Sequence, residues 1–328
     1  LNILVTGVPR SGTTFLGRSI ALSSEVNYLW EPFNKNYRRR IPDVYPYIGN
    51  KSSKEKKEKY RQIVSETLEF KKLKPNIRFL PDNNIIEVFL KKLGVNRTFF
   101  RYNWAKVKNI FLNKEVTLFK DPFGIFLSEF LMKEFDFKVI VAIRHPAAVI
   151  NSRKKLDFHF SFDFWRQQND LYDEQFREIE TKMKKYGRNN NVQVDSSLTE
   201  NKNIVIDSAF HWLTCYNYIV QLKNKHPDNL LLVKHEDLCL DPIKEFESIY
   251  NHVNLEYNNK ISSEIKEVTS GDKTEQNSKD LAKLEKRNAK ELIFKWKEKT
   301  SKRELNHIEK ITGEISKCYY KRSDFWEI

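Results

Sequence analysis

Cysteine is scarce in this 328-residue chain: Cys215, Cys239 and Cys318 are widely spaced and odd in number, which excludes a disulfide framework and a Cys-x-x-Cys zinc pattern. A reducing compartment is the simpler expectation. The chain opens Leu1-Asn2-Ile3 without Met, however, so localisation stays open: cytoplasmic if the chain is complete, the lumen of the secretory pathway if an anchor precedes it. With only 9 glycines, a collagen-like repeat is excluded. No apolar run approaches the roughly 20 residues that a bilayer requires, so no transmembrane segment is read. Aromatic residues, by contrast, are plentiful. The 23 Phe, 14 Tyr and 6 Trp, with 40% hydrophobic residues overall, exclude low-hydrophobicity disorder and can fill the core of one large α/β domain or two small ones.

Lys and Arg outnumber Asp and Glu by 58 to 44, a net charge of +14 that favours anionic partners such as nucleotides, polyanions or acidic membrane surfaces. Lys and Asn are abundant along the whole chain, so the same excess also follows from composition alone, and no nucleic-acid partner is read from it. The run Lys54-Glu55-Lys56-Lys57-Glu58-Lys59 mixes both signs and reads as a solvated helix face. Arg38-Arg39-Arg40 and Arg153-Lys154-Lys155 are the runs dense enough to serve as binding patches.

Short apolar runs at 2–6, 28–30, 116–119, 139–143 and 230–233 read as buried strands. Helical patterns separate them, notably at 125–135 and at 206–223, where Phe210, Leu213 and Val220 share a face. Strands alternating with helices imply an α/β fold, with a mostly parallel sheet flanked by helices on both faces. Residues 34–110 interrupt that rhythm with a Pro- and Tyr-containing loop, a charged helix near 52–72 and a second helix near 83–93. They read as a helical insertion. Residues 187–203 are polar and aperiodic, as a surface loop would be, and the charged segment 260–328 is expected to end in helices packed back on the sheet.

Gly7-Val8-Pro9-Arg10-Ser11-Gly12-Thr13-Thr14 has the two-glycine spacing of a Walker A loop and lies where such a loop must lie, between a strand and a helix. Thr13 stands in place of the lysine. The glycines still allow the tight turn, and the amides of residues 10–14 can converge on a phosphate at the helix N-terminus. The cation that reaches the β- and γ-phosphates of ATP is missing, and no apolar run ends in an evident Asp for magnesium. Arg10 supplies a guanidinium earlier in the loop. A transferring sulfuryl group carries less negative charge than a γ-phosphoryl, so a guanidinium and backbone amides can stabilise its transition state without a metal.

Pro9-Arg10-Ser11-Gly12-Thr13-Thr14-Phe15 resembles the 5′-phosphosulfate loop of the 3′-phosphoadenosine 5′-phosphosulfate (PAPS)-dependent sulfotransferases, P-[KR]-S-G-T-T-[WFL], at every position. The resemblance implies that Arg10, Ser11, Gly12, Thr13 and Thr14 hold the 5′-phosphosulfate, and that Phe15 lies near the adenine; a core position on the helix is its other reading. The family's second element is an Arg at a strand end followed eight residues later by a Ser, both on the 3′-phosphate. Here Arg144-His145-Pro146 follows the 139–143 run and Ser152 stands eight residues on. Pro146 suits the first turn of a helix, which lets Ser152 point back to an anion near the strand end. Leu231 to Leu238 with Asp241-Pro242 is similar to a late family strand and helix start, and is read as scaffold. Arg287 and Trp296-Lys297 lie where some relatives bring a basic segment over the nucleotide, but here read as a solvated helix. The resemblance covers residues 1–33, 115–170 and 205–255, and implies a single domain over 1–328 with PAPS as donor, PAP as product and no required metal.

Sulfuryl transfer needs a group to take the acceptor's proton. Glu31 ends the second apolar run, and Pro32 then forces a loop, so its carboxylate is expected at the strand's C-terminal edge as the base; a Glu that starts a turn, or one that pairs with Arg10, is the structural alternative. Lys120 and Asp121 follow the 116–119 run and should reach the same edge, Lys120 to donate to the bridging oxygen and Asp121 to orient it; an ordinary strand-end ion pair is their structural alternative. His145 reads as structural. The base therefore stays open among Glu31, Asp121 and His145. Asp121-Pro122 departs from the Lys-Thr and His pattern of the small-phenol branch, which argues against phenols and steroids. Glu31-Pro32-Phe33 and Arg144 to Ala148 look closest to bacterial-type and carbohydrate sulfotransferases, implying a glycan or glycolipid acceptor. The oligomeric state is not read. Two other functions fit parts of the sequence: a P-loop kinase or NTPase, and a non-catalytic basic module that binds polyanions.

Overall fold

The computed structural model describes residues 1–36, 40–70, 115–192, 203–270 and 288–328. Among them, strands β1 (Asn2–Thr6), β2 (Val26–Trp30), β3 (Val116–Lys120), β4 (Phe137–Ile143) and β5 (Leu230–Lys234) form one sheet of order β2-β3-β1-β4-β5, every pairing parallel. These are the apolar runs that the sequence marks. Parallel strands need both faces covered, and successive side chains of each strand supply two separate cores.

One core takes Ile3 and Val5 of β1, Leu118 of β3, and Ile140 and Ala142 of β4. Leu16 and Ile20 of α1 (Thr13–Ile20) pack against them, joined by Phe246 and Ile249 further along the chain. The other core takes Leu4, Phe119, Val139, Val141 and Ile143. On this second face lie α2 (Lys54–Leu68), α3 (Ser128–Phe135), α4 (Pro146–Lys155), α5 (Arg177–Asn190) and α6 (Ile204–Lys225). Each Leu or Ile fully buried this way contributes roughly 1.5–3 kcal/mol, and cutting Phe119 to Ala would cost about 3–5 kcal/mol because the sheet cannot collapse into the space.

The chain then forms α7 (His235–Leu240), α8 (Pro242–His252), α9 (Asn259–Thr269) and α10 (Lys302–Tyr319). A capping box starts α10: Ser301 accepts from the Glu304 amide, and the Glu304 carboxylate accepts from the Ser301 amide. Its apolar stripe, Leu305, Ile308, Ile311 and Ile315, enters the second core. The pattern at 206–223 predicts an amphipathic helix, but α6 is buried on nearly every side, His211, Trp212 and Tyr216 included. It lies sandwiched between the sheet and outer elements such as α10, and only its C-terminal end, at Gln221, Asn224 and Lys225, is exposed.

Other expectations change. The polar segment at 187–203 begins as helix, with α5 running to Asn190 and ending at Asn191 in the left-handed region; residues 193–202 lie outside the described residues. The helix expected near 83–93 also lies outside them, whereas α2 forms within the stretch expected at 52–72. The basic patch at 153–155 does not form. Arg153 is fully buried and its Nη2 meets His211 Nδ1 at 2.8 Å, while Lys154 pairs with Glu304 at 2.5 Å. In the other run, Arg40 pairs with Glu66, and residues 37–39 are outside the described set. No helix among the described residues is long and apolar enough to cross a membrane.

The direction of travel reverses at one place in the sheet. After β1 the chain passes through α1 to β2, while after β4 it passes through α4 and α6, on the opposite face, to β5. The C-terminal ends of β1 and β4 therefore flank a topological switch point, where open α/β sheets bind ligands.

Candidate active site

The loop from Gly7 to Gly12 occupies that switch point. Gly7 has φ 145° and a Cβ there would stand 2.4 Å from the Ala142 carbonyl oxygen of β4. Gly12 has φ 97°, and its Cβ would stand 2.5 Å from His235 Nδ1. Both glycines are required by close approach as well as by backbone conformation. Arg10 adopts φ 82° without being glycine, a strain of about 1–3 kcal/mol that its contacts must offset. Its carbonyl accepts from Arg144 Nη1 at 3.2 Å, and its Nε donates to Ser152 Oγ at 2.9 Å. The Arg and Ser read as eight apart in sequence thus meet the first loop directly.

The α1 helix begins at Thr13 with Gly12 as its N-cap, no side-chain cap and no acidic residue in its first turn. Its positive end and first amides are therefore available to an anion. Pro146 occupies the first turn of α4, as expected, and carries Ser152 back over the strand end. Arg144 Nε is buried without a hydrogen-bond partner among the described residues. An uncapped helix start and an unused buried guanidinium donor fit the phosphate and phosphosulfate groups of PAPS. Phe15 is half-buried, with its ring edge-on to Phe246 at 5.5 Å and to His235 at 6.5 Å. No group of three or more His, Cys, Asp or Glu among the described residues is placed to hold a metal.

The other half of the site comes from β2 and β3. Glu31 follows β2 with φ 49°, and its amide donates to the Lys120 carbonyl at 2.7 Å, which turns the chain at the sheet edge. Lys120 Nζ lies 2.6 Å from Glu31 Oε1, the two side chains being 3% and 10% exposed. Asn34 Nδ2 donates to Glu31 Oε2 at 2.7 Å, and the Lys120 ammonium lies 5.3 Å from the centre of the Trp30 ring. Glu31 is thus paired with Lys120. The register sets Lys120 opposite Trp30 on one side and Val5 on the other, which brings the pair to the edge where the Gly7–Gly12 loop begins.

Asp121 is fully buried, and its carboxylate accepts from the Phe33 amide at 2.5 Å and the Phe123 amide at 2.9 Å. Burial first, and the charge of Glu31 next, push its pKa up to about 7 against those two donors and Lys120. With both oxygens occupied, Asp121 shapes the turn after β3. His145 is also fully buried, stacked on Trp296 at 4.7 Å and beside Trp326 at 4.6 Å. Burial, then the charges of Lys297 and Arg144, hold its pKa well below the usual histidine value, in keeping with a structural residue. Trp296 is buried, not solvated as the sequence suggested, and Asn151 of α4 donates to its carbonyl at 2.9 Å. Arg287 lies outside the described residues.

Several residues that shape the site carry no sequence signal of it. Asn34 is an ordinary loop residue, Trp212 reads as helix core, and Glu236 falls in the stretch read as scaffold. A pattern of buried hydrogen-bonding side chains around Arg144 is visible only in three dimensions.

A sequence model described as the sulfotransferase family matches residues 2–197, more than half of the chain. No curated protein sequence matches it. Among solved structures, the chain is similar to the sulfotransferase domain of the Synechococcus PCC 7002 olefin synthase, at 15% identity over 94% of each chain with a TM-score of 0.43. It is also similar to the sulfotransferase domain of the curacin biosynthetic pathway, at 12% identity over 96% of each chain and a TM-score of 0.46. A mouse sulfotransferase complexed with PAP matches at 11% identity over 98% of this chain and 87% of its own, with a TM-score of 0.42. The assignment rests on the family match, and the chain belongs to the sulfotransferase family.

Proposed function

We propose that this sulfotransferase moves the sulfuryl group of PAPS to a hydroxyl or amine, with a glycan or glycolipid hydroxyl as its acceptor. The observation that carries the donor half is the meeting of Arg10, Arg144 and Ser152 beside the uncapped start of α1. Arg10, Ser11 and the amides and hydroxyls of Gly12, Thr13 and Thr14 hold the 5′-phosphosulfate, Phe15 lies beside the adenine, and Arg144 and Ser152 hold the 3′-phosphate. Charge-assisted hydrogen bonds of this kind are short and directional, which suits a transferring group whose charge must be met in one place.

When bound, PAPS supplies the sulfuryl group and leaves as PAP. Glu31 takes the proton of the acceptor hydroxyl as the new oxygen–sulfur bond forms. Its carboxylate has about four lone-pair sites, so the bonds to Lys120 and Asn34 still leave room for an acceptor hydrogen. Lys120 donates to the bridging oxygen, which stays on the 5′-phosphate of PAP, as the bond between that oxygen and sulfur breaks. Asp121 and His145 are fully buried, whereas about a tenth of the Glu31 side chain is exposed, which favours Glu31 as the base. The acceptor class rests on the resemblance of Glu31-Pro32-Phe33 and of Arg144 to Ala148 to carbohydrate sulfotransferases, with the insertion at 34–110 and the aromatic stretch at 158–165 as acceptor wall. The contacts of Arg10 with Ser152 of α4, of Arg144 with Trp212 of α6 and of Lys154 with Glu304 of α10 favour residues 1–328 acting as one domain.

The test is turnover of labelled PAPS against separate pools of glycans, glycolipids and peptides. Label on a glycan or glycolipid hydroxyl is the expected result. Transfer confined to peptides or to small phenols would overturn the acceptor class, and magnesium-dependent transfer from ATP would overturn the donor.

A further inference from the structure

The peptide bond between Arg144 and His145 is held at both of its polar atoms. Trp212 Nε1, from α6, donates to the Arg144 carbonyl at 3.0 Å. On the other side, the His145 amide donates to Glu236 Oε1 at 3.0 Å. The second oxygen of that carboxylate accepts from Tyr320 Oη at 2.8 Å. Glu236 is 1% exposed, so water does not disperse its charge, and the Arg144 guanidinium lies near enough to act on it. The His145 ring is in turn enclosed by Trp296, Phe325 and Trp326, and Trp326 Nε1 donates to the Tyr320 carbonyl at 2.8 Å.

All of these partners lie beyond residue 197, where the family match ends. Two elements far apart in sequence, α6 and α7, thus hold one peptide unit, the one from which Arg144 leaves the strand end, and the segment 288–328 braces it through Glu236 and the His145 ring. A guanidinium on a long side chain has many rotamers to lose, and fixing its root removes part of what a ligand must otherwise order. We propose that Glu236, braced by Tyr320 and opposed by Trp212, is a positioning residue that sets Arg144 for the 3′-phosphate of the donor nucleotide. The C-terminal segment is then part of the donor site's selectivity. This inference rests on the reading of Arg144 as the 3′-phosphate ligand.

A merely structural brace would weaken every nucleotide alike, so the test compares two that differ in one group. PAP carries the 3′-phosphate and adenosine 5′-phosphosulfate lacks it. Calorimetry on the full chain should show Glu236→Ala weakening PAP by about tenfold and adenosine 5′-phosphosulfate by less than about twofold. Glu236→Gln keeps an oxygen for the His145 amide and should recover most of the loss. Tyr320→Phe and Trp212→Phe, which retain the bulk of each ring, should each lower PAP affinity selectively by about threefold to fivefold, and they carry the test should Glu236→Ala not fold. Equal losses for both ligands, or none, would overturn the proposal. Arg144→Ala is measured in parallel: if it too fails to separate the ligands, the 3′-phosphate reading fails, whereas if it alone separates them, only the positioning role fails.

Discussion

Replacing Lys120 with Met removes an ammonium that stands 2.6 Å from Glu31 Oε1 and leaves behind a carboxylate with about a tenth of its surface exposed. Breaking a buried pair by removing one partner costs about 3–5 kcal/mol, because the survivor is a buried charge. Asn34 still donates to Glu31 Oε2, so the lower end of that range, about 3 kcal/mol, is expected. Glu31→Gln should cost somewhat less, about 2–3 kcal/mol, since an amide oxygen can still accept from Lys120 and the Trp30 ring still faces the ammonium. The double variant carries neither charge. Its loss should be about 1 kcal/mol, giving a coupling of about 4–5 kcal/mol between the two sites.

Urea unfolding with an unchanged slope measures the stability side of this cycle. Single-turnover transfer at saturating PAPS and acceptor measures the chemical side. If Glu31 is the base, Glu31→Gln lowers transfer by roughly 10²- to 10⁴-fold, and the double variant regains stability without regaining transfer. That divergence separates a catalytic carboxylate from a structural one. A coupling below about 0.5 kcal/mol would refute the buried pair. Near-normal transfer by Glu31→Gln would take the base role away from Glu31, and a collapse of PAP affinity in the same variant would make it a structural support of the donor loop.

Arg144→Ala should weaken PAP by roughly tenfold to a hundredfold in calorimetry, the worth of a charged hydrogen bond of about 1.5–3 kcal/mol, and change adenosine 5′-phosphosulfate only slightly. PAP should bind undiminished in EDTA, because Thr13 replaces the P-loop lysine and no magnesium Asp follows an apolar run; a magnesium requirement, or tighter binding of ATP, would refute the donor assignment. Asp121 is held protonated up to about pH 7 in the folded chain, against a usual value of 3.8. Since the folded state then binds the extra proton, this contribution to stability is complete below pH 4 and is lost as pH rises through 7, at up to about 1.4 kcal/mol per unit. His145 and His211, whose pKa values are depressed, slope the other way as pH falls below the usual histidine value, so the difference between wild type and Asp121→Asn isolates the carboxyl. Parallel stability curves for the two proteins between pH 4 and 8 would show that Asp121 is ionised throughout.

The turn after β1 was legible in one dimension because its cause is local: a strand, two glycines and a helix start within a few positions dictate it, and the same few residues carry the proposed anion site. The strand runs were equally plain, since a sheet buried on both faces demands unbroken apolar stretches. Arg153 shows where linear reading stops. It sits beside two lysines in sequence, yet a helix turns each residue by about 100°, so Arg153 faces His211 in the core while Lys154 meets Glu304. The Glu31–Lys120 pair joins residues 89 apart. Each was expected at the sheet's C-terminal edge, but their meeting depends on β2 lying next to β3, which is a fact of strand order and not of either strand's composition. Glu236 is the extreme case, with partners 91 and 84 residues away and a sequence context that any helix start would share. What sets it apart is the burial of a charge, and burial of a charge needs an answering donor wherever the fold can bring one. Scaffold and site are therefore separated less by residue type than by what each buried polar atom is required to hold in place, and for Glu236 that is the root of the arginine proposed to read the donor's 3′-phosphate.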